Sequence, residues 1–429
     1  MKKITMVLGL LLAAPAMSRA DSFVLTGATV HTVSGATIPN GQVLVVDGRI
    51  AAVGEHVEAE NAKVIDLTGQ HLYPGLILAT SSLGLAEIGA VRATQDTNEV
   101  GSYAPDVQSW IAINPDSELI PVARANGITH ALAVPMGGVV TGQSGLIRLS
   151  GWTYEEMTIA KPVALHLFWP AMGLDLTPKE QWHSKEEWKS PEDQAVERRA
   201  KLKEVDDFFE EARAYAKSRR EDKIVPAWEA MMPLVRGEAP LMIHADDVRQ
   251  IKAAVEWASA KGFRVILAGA RDADMLAGYL AEKHVPVIYE QTFAQPAFDW
   301  QPYDVHFRAA EALRKAGVKV ALSDGLGNWG AADARNLPYH AAQCAAFGMP
   351  PDEALRAITL TPAEILGVAD RLGSIDAGKE ASLIAVDGDL LDIRSHVTRM
   401  WIAGQETSLE SRHTRLYEKY RHRPKPETK

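Results

Sequence analysis

A Pro-Gly turn that leads into a short buried strand constrains the fold of this chain more than any other sequence feature. The segment reads Pro74-Gly-Leu-Ile-Leu-Ala-Thr-Ser-Ser-Leu-Gly84, and its apolar run at residues 76–79 predicts a strand with both faces buried. The strand ends on hydroxyl residues, of which Thr80 and Ser82 are two positions apart and point to the same side. Because hydroxyl groups are weak zinc ligands, this strand end is a poor place for a zinc ion.

Further apolar runs follow this strand, and helical patterns separate several of them, as in parallel βα units. The predicted strands span residues 75–80, 128–134, 145–149, 162–168, 240–245, 264–269, 285–290 and 318–324. The predicted helices include residues 191–220, 251–261, 274–283, 307–316 and 351–358. Eight such units predict an α/β fold, a (β/α)8 TIM-type barrel, whose functional groups gather at the C-terminal strand ends.

Both ends of the chain contribute segments of a different kind. Residues 23–30, 41–46 and 49–53 alternate apolar and polar side chains, and Asp47-Gly48 is a strong two-residue hairpin signal. Near the other end, residues 373–387 read as a turn followed by a buried strand. These distant segments predict one small composite β domain.

These motifs resemble the amidohydrolase superfamily, and most closely its imidazolonepropionase-like periplasmic branch. The family typically reads Pro-Gly-Leu-Ile-Asp-Ala-His-x-His-x-Gly at the first strand, whereas this chain has Leu78, Thr80 and Ser82 in place of the Asp and the two His. Its Gly-x-Ile-x-x-Gly-Lys-x-Ala-Asp-Leu motif matches residues 373–383, with Ser382 in place of Asp. The resemblance implies a barrel flanked by a composite β-sandwich, with a degenerate metal site.

The predicted organisation places a barrel between two halves of the β-sandwich. Two insertions, residues 83–126 and 169–237, would emerge on the active face, where they form either a lid or packing around the barrel. The predicted parts are a signal peptide at 1–20, the composite β-sandwich domain at 21–72 and 370–410, the barrel at 73–369 and a polar C-terminal tail at 411–429, which wraps the surface or frays.

The first twenty residues have the pattern of a secretory signal peptide. Lys2 and Lys3 precede an apolar run at residues 4–17, and small residues at positions 18 and 20 predict cleavage after Ala20. The run is too short for a spanning helix, although an uncleaved anchor is the alternative. Cys344 is the only cysteine, so the chain forms no intramolecular disulfide. We expect a periplasmic protein.

Charge narrows the range of partners. The formal net charge is −10, and removal of the leader takes away three basic residues and no acidic one, which gives −13. An acidic protein of this kind does not indicate nucleic-acid binding. No later apolar run reaches the roughly 18 residues of a spanning helix, so no stable membrane insertion is expected after cleavage. A small-molecule substrate is expected, and the oligomeric state stays open.

Two residues match functional positions of the resembled family. His244 lies near the end of the predicted fifth strand, where the family has a metal-binding histidine, and Asp324 ends the eighth strand, where the family has an aspartate that contacts metal and accepts a proton from water. The resemblance therefore implies that both residues bind metal and take part in catalysis. The alternatives are a hydrogen-bonded structural histidine and an Asp-Gly turn residue.

The remaining candidates complete a reduced site. The sixth strand ends on Ala268 and Gly269, where the family has another histidine. His166 is a third candidate ligand, which with His244 and Asp324 would make a 2-His-1-carboxylate site for at most one divalent ion, zinc first, while a site without metal stays open. Glu290, at the end of the seventh strand, is a candidate substrate contact.

Two functions follow from this site. The first is hydrolysis of carbon-nitrogen bonds other than peptide bonds, such as those of amides or cyclic amides, as the resemblance implies. The second is a non-catalytic pseudoenzyme or small-molecule binding protein on the same scaffold. The lost histidines favour the second function, and the retained pair of His244 and Asp324 favours the first.

Overall fold

The computed structural model describes residues 22–424 of the chain. The predicted leader and its cleavage after Ala20 lie outside these residues. Across the described part, no helix is both long enough and apolar enough to cross a bilayer.

The strands fall close to the predicted runs. They are β1 Phe23–Val30, β2 Ile38–Val46, β3 Arg49–Gly54, β4 Lys63–Asp66, β5 His71–Pro74, β6 Leu76–Ser81, β7 Ile128–Ala133, β8 Val140–Gln143, β9 Gly145–Arg148, β10 Thr158–Ala160, β11 Leu165–Phe168, β12 Leu241–Ala245, β13 Val265–Gly269, β14 Val287–Tyr289, β15 Val320–Leu322, β16 Leu383–Val386, β17 Val397–Ile402 and β18 Gln405–Glu406.

The helices lie mostly between the later strands. They are α1 Leu119–Arg124, α2 Tyr154–Met157, α3 Pro191–Ser218, α4 Pro226–Val235, α5 Val248–Ala260, α6 Ala277–Glu282, α7 Val305–Lys315, α8 Gly327–Asp333, α9 Leu337–Ala346, α10 Pro351–Arg356, α11 Leu360–Ile365 and α12 Arg412–Arg421. Helix α5 begins at a capping box built by Asp247 and Gln250, which satisfies backbone groups at its first turn.

The two ends of the chain build one mixed eight-stranded sheet. Its strands are ordered β18-β17-β16-β5-β1-β2-β3, and β4 pairs with β1. Strand β16 lies antiparallel to β5, with Leu383 opposite Pro74. Asp47 and Gly48, at the predicted hairpin, have φ values of 49° and 75°, and a two-residue type I′ turn requires positive φ at both positions. The composite character predicted for the ends is therefore present in a single sheet.

The middle of the chain is mixed α/β, as predicted, but its strands do not form one closed parallel barrel. Strands β11 to β15 are parallel neighbours in a six-stranded sheet, and β6 and β7 are parallel in a four-stranded one. The predicted third strand corresponds to β9, which runs antiparallel to β7, while β8 runs antiparallel to β11. Strands β8 and β9 are separated only by Ser144, whose carbonyl oxygen accepts a hydrogen bond from the Val163 amide. One bent segment therefore bridges both sheets.

Side-chain hydrogen bonds link the two sheets on their other side. The Ser323 hydroxyl donates to the Thr80 carbonyl oxygen at 3.1 Å and accepts from the Thr80 amide at 3.1 Å. The Ser82 amide donates to the Gly325 carbonyl at 2.7 Å. Strand β6 is therefore held beside β15 by polar groups at their C-terminal ends.

Alternate strand residues fill a common apolar interior. Its buried members include Ile77, Ala79, Leu132, Met242, Ile266, Ala268, Ile288 and Ala321. Since successive side chains of a strand point to opposite faces, His244 shares a face with Met242, and Glu290 follows Ile288 on the same side. The apolar interior thus ends in polar residues at the C-terminal strand ends.

The long helix of the second insertion packs against the outside of the barrel-like core. Helix α3 buries Val205 and Phe209, and the Phe209 ring meets Trp257 of α5 edge-on at 4.9 Å. Lys261 pairs with Asp206 at 2.6 Å. These contacts favour the packing interpretation of this helix over a lid. Within the predicted C-terminal tail, residues Arg412–Arg421 form α12, which begins at a Ser411 capping box and buries no residue.

Candidate active site

Polar side chains gather at the C-terminal ends of the strands around the apolar interior. We call this region the strand-end mouth and define it by Thr80, His166, His244, Glu290 and Asp324. These side chains are organised in pairs, each joining two elements that are distant in sequence. The pairs differ in burial and charge, and that difference decides what each can do chemically.

The first pair joins Glu290 to Thr80, the residue at a position where the resembled family has a metal-binding histidine. The Thr80 hydroxyl donates to Glu290 Oε1 at 2.5 Å. Burial raises the pKa of the Glu290 carboxyl to about 8, and the nearby carboxylates Asp246 and Asp324 raise it further, while the Thr80 hydroxyl opposes the shift. Glu290 is therefore largely protonated at neutral pH.

Ser82, at the second lost ligand position, has become a structural anchor. Its hydroxyl accepts a hydrogen bond from the Gly327 amide at 3.1 Å, in the loop that follows Asp324. Gly327 has a φ of +84°, a conformation that favours glycine. The two hydroxyl residues thus serve different purposes, because Thr80 holds a carboxyl group and Ser82 holds the loop beside Asp324.

The second pair is formed by two imidazole rings. His166 Nδ1 lies 2.9 Å from His244 Nε2, so one ring donates its N–H to the other. Burial lowers the pKa of His244 to about 3, and burial together with the neighbouring His244 lowers the pKa of His166 well below its usual value. Both rings are neutral at pH 7. Phe168 stacks on His244 with ring centres 4.0 Å apart and nearly parallel planes.

Neutral His244 suits hydrogen-bond donation better than proton transfer. Its Nε2 is hydrogen-bonded to His166, while its Nδ1 forms no hydrogen bond with the side chains that the structure describes, which leave out that of Asn328. When His166 donates to His244 Nε2, the Nδ1 atom of His244 carries the proton and can donate it in a hydrogen bond within the mouth. The opposite ring atom, His166 Nε2, is buried and has no partner in the described chain.

The third pair is a close contact between Asp324 and His340 of α9, which becomes an ion pair when the imidazole is protonated. Asp324 Oδ2 lies 3.2 Å from His340 Nε2, and the Asp324 side chain is 32% exposed whereas that of His340 is 2% exposed. The His340 ring meets Phe293 edge-on at 4.6 Å, which fixes its plane. A buried imidazole therefore lies against a carboxylate that is partly open to the mouth.

Two of these neighbours were not singled out from the sequence. Asp246 follows His244 by two positions, and burial raises the pKa of its carboxyl, which accepts a hydrogen bond from the Arg271 amide at 3.3 Å. The two-residue spacing could have identified it, because strand residues two apart share a face. His340 carries no such signal, since it reaches Asp324 from a helix.

The residues of the mouth do not fit a metal site with three protein ligands. Within the described ranges, no three His, Cys, Asp or Glu side chains converge in a way that could hold an ion. His166, His244 and Asp324 do not come together as a ligand set, since the two imidazoles bond each other and Asp324 pairs with His340. Thr80 and Ser82 add only weak hydroxyl ligands.

Comparisons with known proteins agree with this architecture. Residues 236–409 match the amidohydrolase family. The amidohydrolase tasK of Hapsidospora irregularis is 24% identical over 396 residues, which cover 85% of this chain and 39% of that protein. The chain thus spans well under half the length of that relative. An imidazolonepropionase of Pseudomonas fluorescens is 42% identical over 76 residues, which cover 18% of this chain and 19% of that protein.

A solved structure extends the similarity over most of the chain. An amidohydrolase from Thermotoga maritima MSB8 has 26% sequence identity and a TM-score of 0.78, covering 90% of this chain and 99% of that one. Together these matches show that the chain belongs to the amidohydrolase superfamily, as its motifs predicted. Members of this superfamily hydrolyse carbon-nitrogen bonds and generally use a divalent metal ion.

Proposed function

We propose that this protein hydrolyses the carbon-nitrogen bond of a small amide or cyclic amide at the strand-end mouth. The observation that carries the proposal is the partly exposed Asp324 carboxylate, which lies 3.2 Å from buried His340 at the strand end where the resembled superfamily has its functional aspartate. A carboxylate fixed in this way can accept a proton from water. Membership of a superfamily that cleaves such bonds supports the reaction class.

The side chains of the mouth take complementary parts in this reaction. Asp324 acts as the general base and removes a proton from the attacking water. Neutral His244 donates its Nδ1–H toward the carbonyl oxygen, where negative charge develops as water adds. Phe168 and His166 hold the His244 ring in place through stacking and a hydrogen bond. A non-metal donor is weaker than an ion, so an activated or cyclic amide is favoured as substrate.

The wider setting belongs to the same proposal. A small-molecule substrate is consistent with the superfamily. We propose export to the periplasm on the basis of the leader sequence, and we propose the division into a barrel-like α/β domain and a composite β domain on the basis of the sheets.

A binding protein without turnover is the second candidate, and one observation favours it. The two positions of the first-strand histidines now carry hydroxyl groups that are both engaged within the protein, Thr80 with Glu290 and Ser82 with the Gly327 amide. A site that satisfies its own polar groups is suited to holding a ligand, whether or not it is cleaved.

A substrate panel tests the proposal directly. The protein is purified without chelators and assayed on N-acyl amino acids, cyclic ureides and lactams, with metal content measured by elemental analysis. Turnover by the wild type that survives chelation and is lost in Asp324→Asn supports hydrolysis at this site. The matched control is Glu282→Gln, which alters a carboxylate of α6 whose side chain is 75% exposed. Ligand-induced thermal shifts without turnover of any compound would favour the binding protein.

A further inference from the structure

The Glu290–Thr80 pair takes no part in the proposed steps in which Asp324 activates water and His244 stabilises the carbonyl oxygen. Glu290 follows β14, the neighbour of β15 in the parallel sheet, and register places Tyr289 opposite Leu322. The Glu290 carboxyl therefore lies beside the strand end that carries Ser323 and Asp324. Amide cleavage needs a proton for the departing nitrogen as well as a base for the water. Two carboxyl groups side by side can divide these tasks.

We propose that Glu290 is the proton donor to the leaving nitrogen and that Thr80, in the place of a metal-binding histidine, holds it for this task. This inference rests on the proposed function. It assigns to Glu290 a catalytic role that differs from the simple substrate contact expected from the sequence.

The geometry leaves one carboxyl oxygen free for the transfer. Thr80 donates to Oε1 at 2.5 Å, which fixes the rotamer of the side chain. Glu290 is partly exposed, and no side chain that the structure describes, which leaves out that of Asn328, forms a hydrogen bond with its second oxygen, Oε2. It is therefore accessible from the mouth. The Thr80 hydroxyl occupies Oε1, which leaves Oε2 as the oxygen that can carry a proton for transfer.

The surroundings of Glu290 keep the proton on the carboxyl group. The groups that face it from the packed elements are the Thr80 hydroxyl of β6, the Asp246 carboxyl after β12 and the Asp324 carboxylate after β15. Two of the three are acids, and none carries positive charge. Two neighbouring carboxyl groups repel each other when both are ionised, so the more deeply buried one retains its proton.

The proposed step balances in atoms and charge. Asp324 takes a proton from water, the hydroxide oxygen bonds the carbonyl carbon, and the carbonyl electron pair moves to oxygen. The pair returns to re-form the carbonyl as the carbon-nitrogen bond breaks, and the nitrogen takes the proton from Glu290 Oε2. Asp324 is then protonated and Glu290 ionised, and transfer of one proton from Asp324 to Glu290 restores both groups. The products are a carboxylic acid and an amine.

The first test compares leaving groups of different basicity. Glu290→Gln keeps the shape of the side chain and removes its proton. We expect kcat to fall by about 10²-fold or more on an alkyl amide, and by much less on an activated anilide whose nitrogen departs without protonation. An equal loss on both substrates, or no loss on either, would overturn the assignment of Glu290 as donor.

The second test uses Thr80 and a pH profile. Because the Thr80 hydroxyl lowers the pKa of Glu290, Thr80→Val should move the alkaline limb of kcat to higher pH, while the conservative Thr80→Ser should leave it near pH 8. A purely structural role for Thr80 would change the amount of folded protein and leave the limb in place, which would contradict the proposal.

A spectroscopic measurement separates this inference from the proposed function. Infrared difference spectra of the wild type should show a protonated carboxyl band that disappears near pH 8 and is missing in Glu290→Gln. A wild type that turns over substrates but lacks this band refutes the donor role alone. A wild type that turns over no compound of the panel refutes the hydrolase and the donor role together.

Discussion

The two ends of the same parallel strands differ in a way that bears on function. At the N-terminal ends lies a cavity of about 1170 Å³, lined by residues that include Lys161, Arg264, Lys319 and Glu364. Lys319 of this lining pairs with Glu364 at 2.7 Å, and the Arg264 guanidinium donates to the Glu238 backbone carbonyl at 3.0 Å. The C-terminal ends carry the strand-end mouth, where burial shifts the pKa of Glu290 and His244.

The cavity and the side chains with shifted pKa values therefore lie at opposite ends of the parallel strands. Titratable side chains with strongly shifted pKa values are candidates for a functional site, because burial or nearby charges must be arranged around them to produce the shift. Functional groups of parallel α/β proteins also gather at C-terminal strand ends. We therefore assign the chemistry to the mouth and a structural role to the paired charges at the other end.

The largest expected effect comes from the base. Asp324→Asn should lower kcat/KM by about 10³-fold, within the range for loss of a general base, because the amide cannot accept the proton of water. Lys319→Gln, which breaks an ion pair beside the opposite cavity, should change kcat/KM less than threefold. The comparison between the two ends would be reversed if Lys319→Gln abolished turnover and Asp324→Asn retained it.

The imidazole pair predicts a smaller effect on folding. His166→Leu leaves His244 Nε2 buried without its partner, so the free energy of unfolding should fall by about 1–3 kcal/mol. Urea denaturation at pH 7 measures this difference. A variant as stable as the wild type would mean that the pair contributes nothing to holding the mouth.

Glu290 predicts a pH-dependent contribution to stability. Its folded-state pKa of about 8 lies above its ordinary value of 4.5, so folding takes up a proton between these values. The contribution is fully present below pH 4.5 and is lost as pH rises through 8. Glu290→Gln should remove this dependence, so the variant should gain about 1 kcal/mol or more relative to the wild type between pH 5 and 9. Parallel stability curves for the two proteins would contradict it.

The smallest effect is expected at the cavity. The Lys319 and Glu364 side chains are 51% and 23% exposed, and solvent screens such pairs. Lys319→Gln should lower the free energy of unfolding by less than about 1 kcal/mol. If Lys319→Gln lowered the free energy of unfolding as much as His166→Leu does, the ion pair at the N-terminal strand ends and the imidazole pair at the C-terminal strand ends would contribute equally to stability. The two ends would then not differ in this respect.

Much of the fold was predictable because apolar periodicity reports directly on buried strands. The predicted run at 128–134 became β7, and that at 264–269 became β13. The direction of β9 was not predictable, because periodicity carries no information on strand orientation. The strand before it, β8, contains Gly142, which has a φ of +120° and where a Cβ would meet the Val107 carbonyl oxygen at 2.6 Å.

The site was predictable only in part, for a physical reason. Strand-end positions such as His244 and Asp324 follow from a motif, and the resemblance implied their roles. Pairing partners arise from the packing of distant elements, so neither the Thr80–Glu290 bond nor the contact of His340 with Asp324 could be read from local sequence. Side-chain partners from distant elements therefore decide whether a residue such as His244 or Asp324 is free to bind an ion.

The eight-stranded sheet has a consequence for biosynthesis. Strand β5 pairs with β16, and the Leu390 amide donates to the Tyr73 hydroxyl across 317 residues of chain at 3.2 Å. While the ribosome is still making the middle of the protein, β5 has an unsatisfied edge, and such edges invite association with other chains. A nascent polypeptide of this topology therefore depends on shielding of that early strand until its last segments have been synthesised.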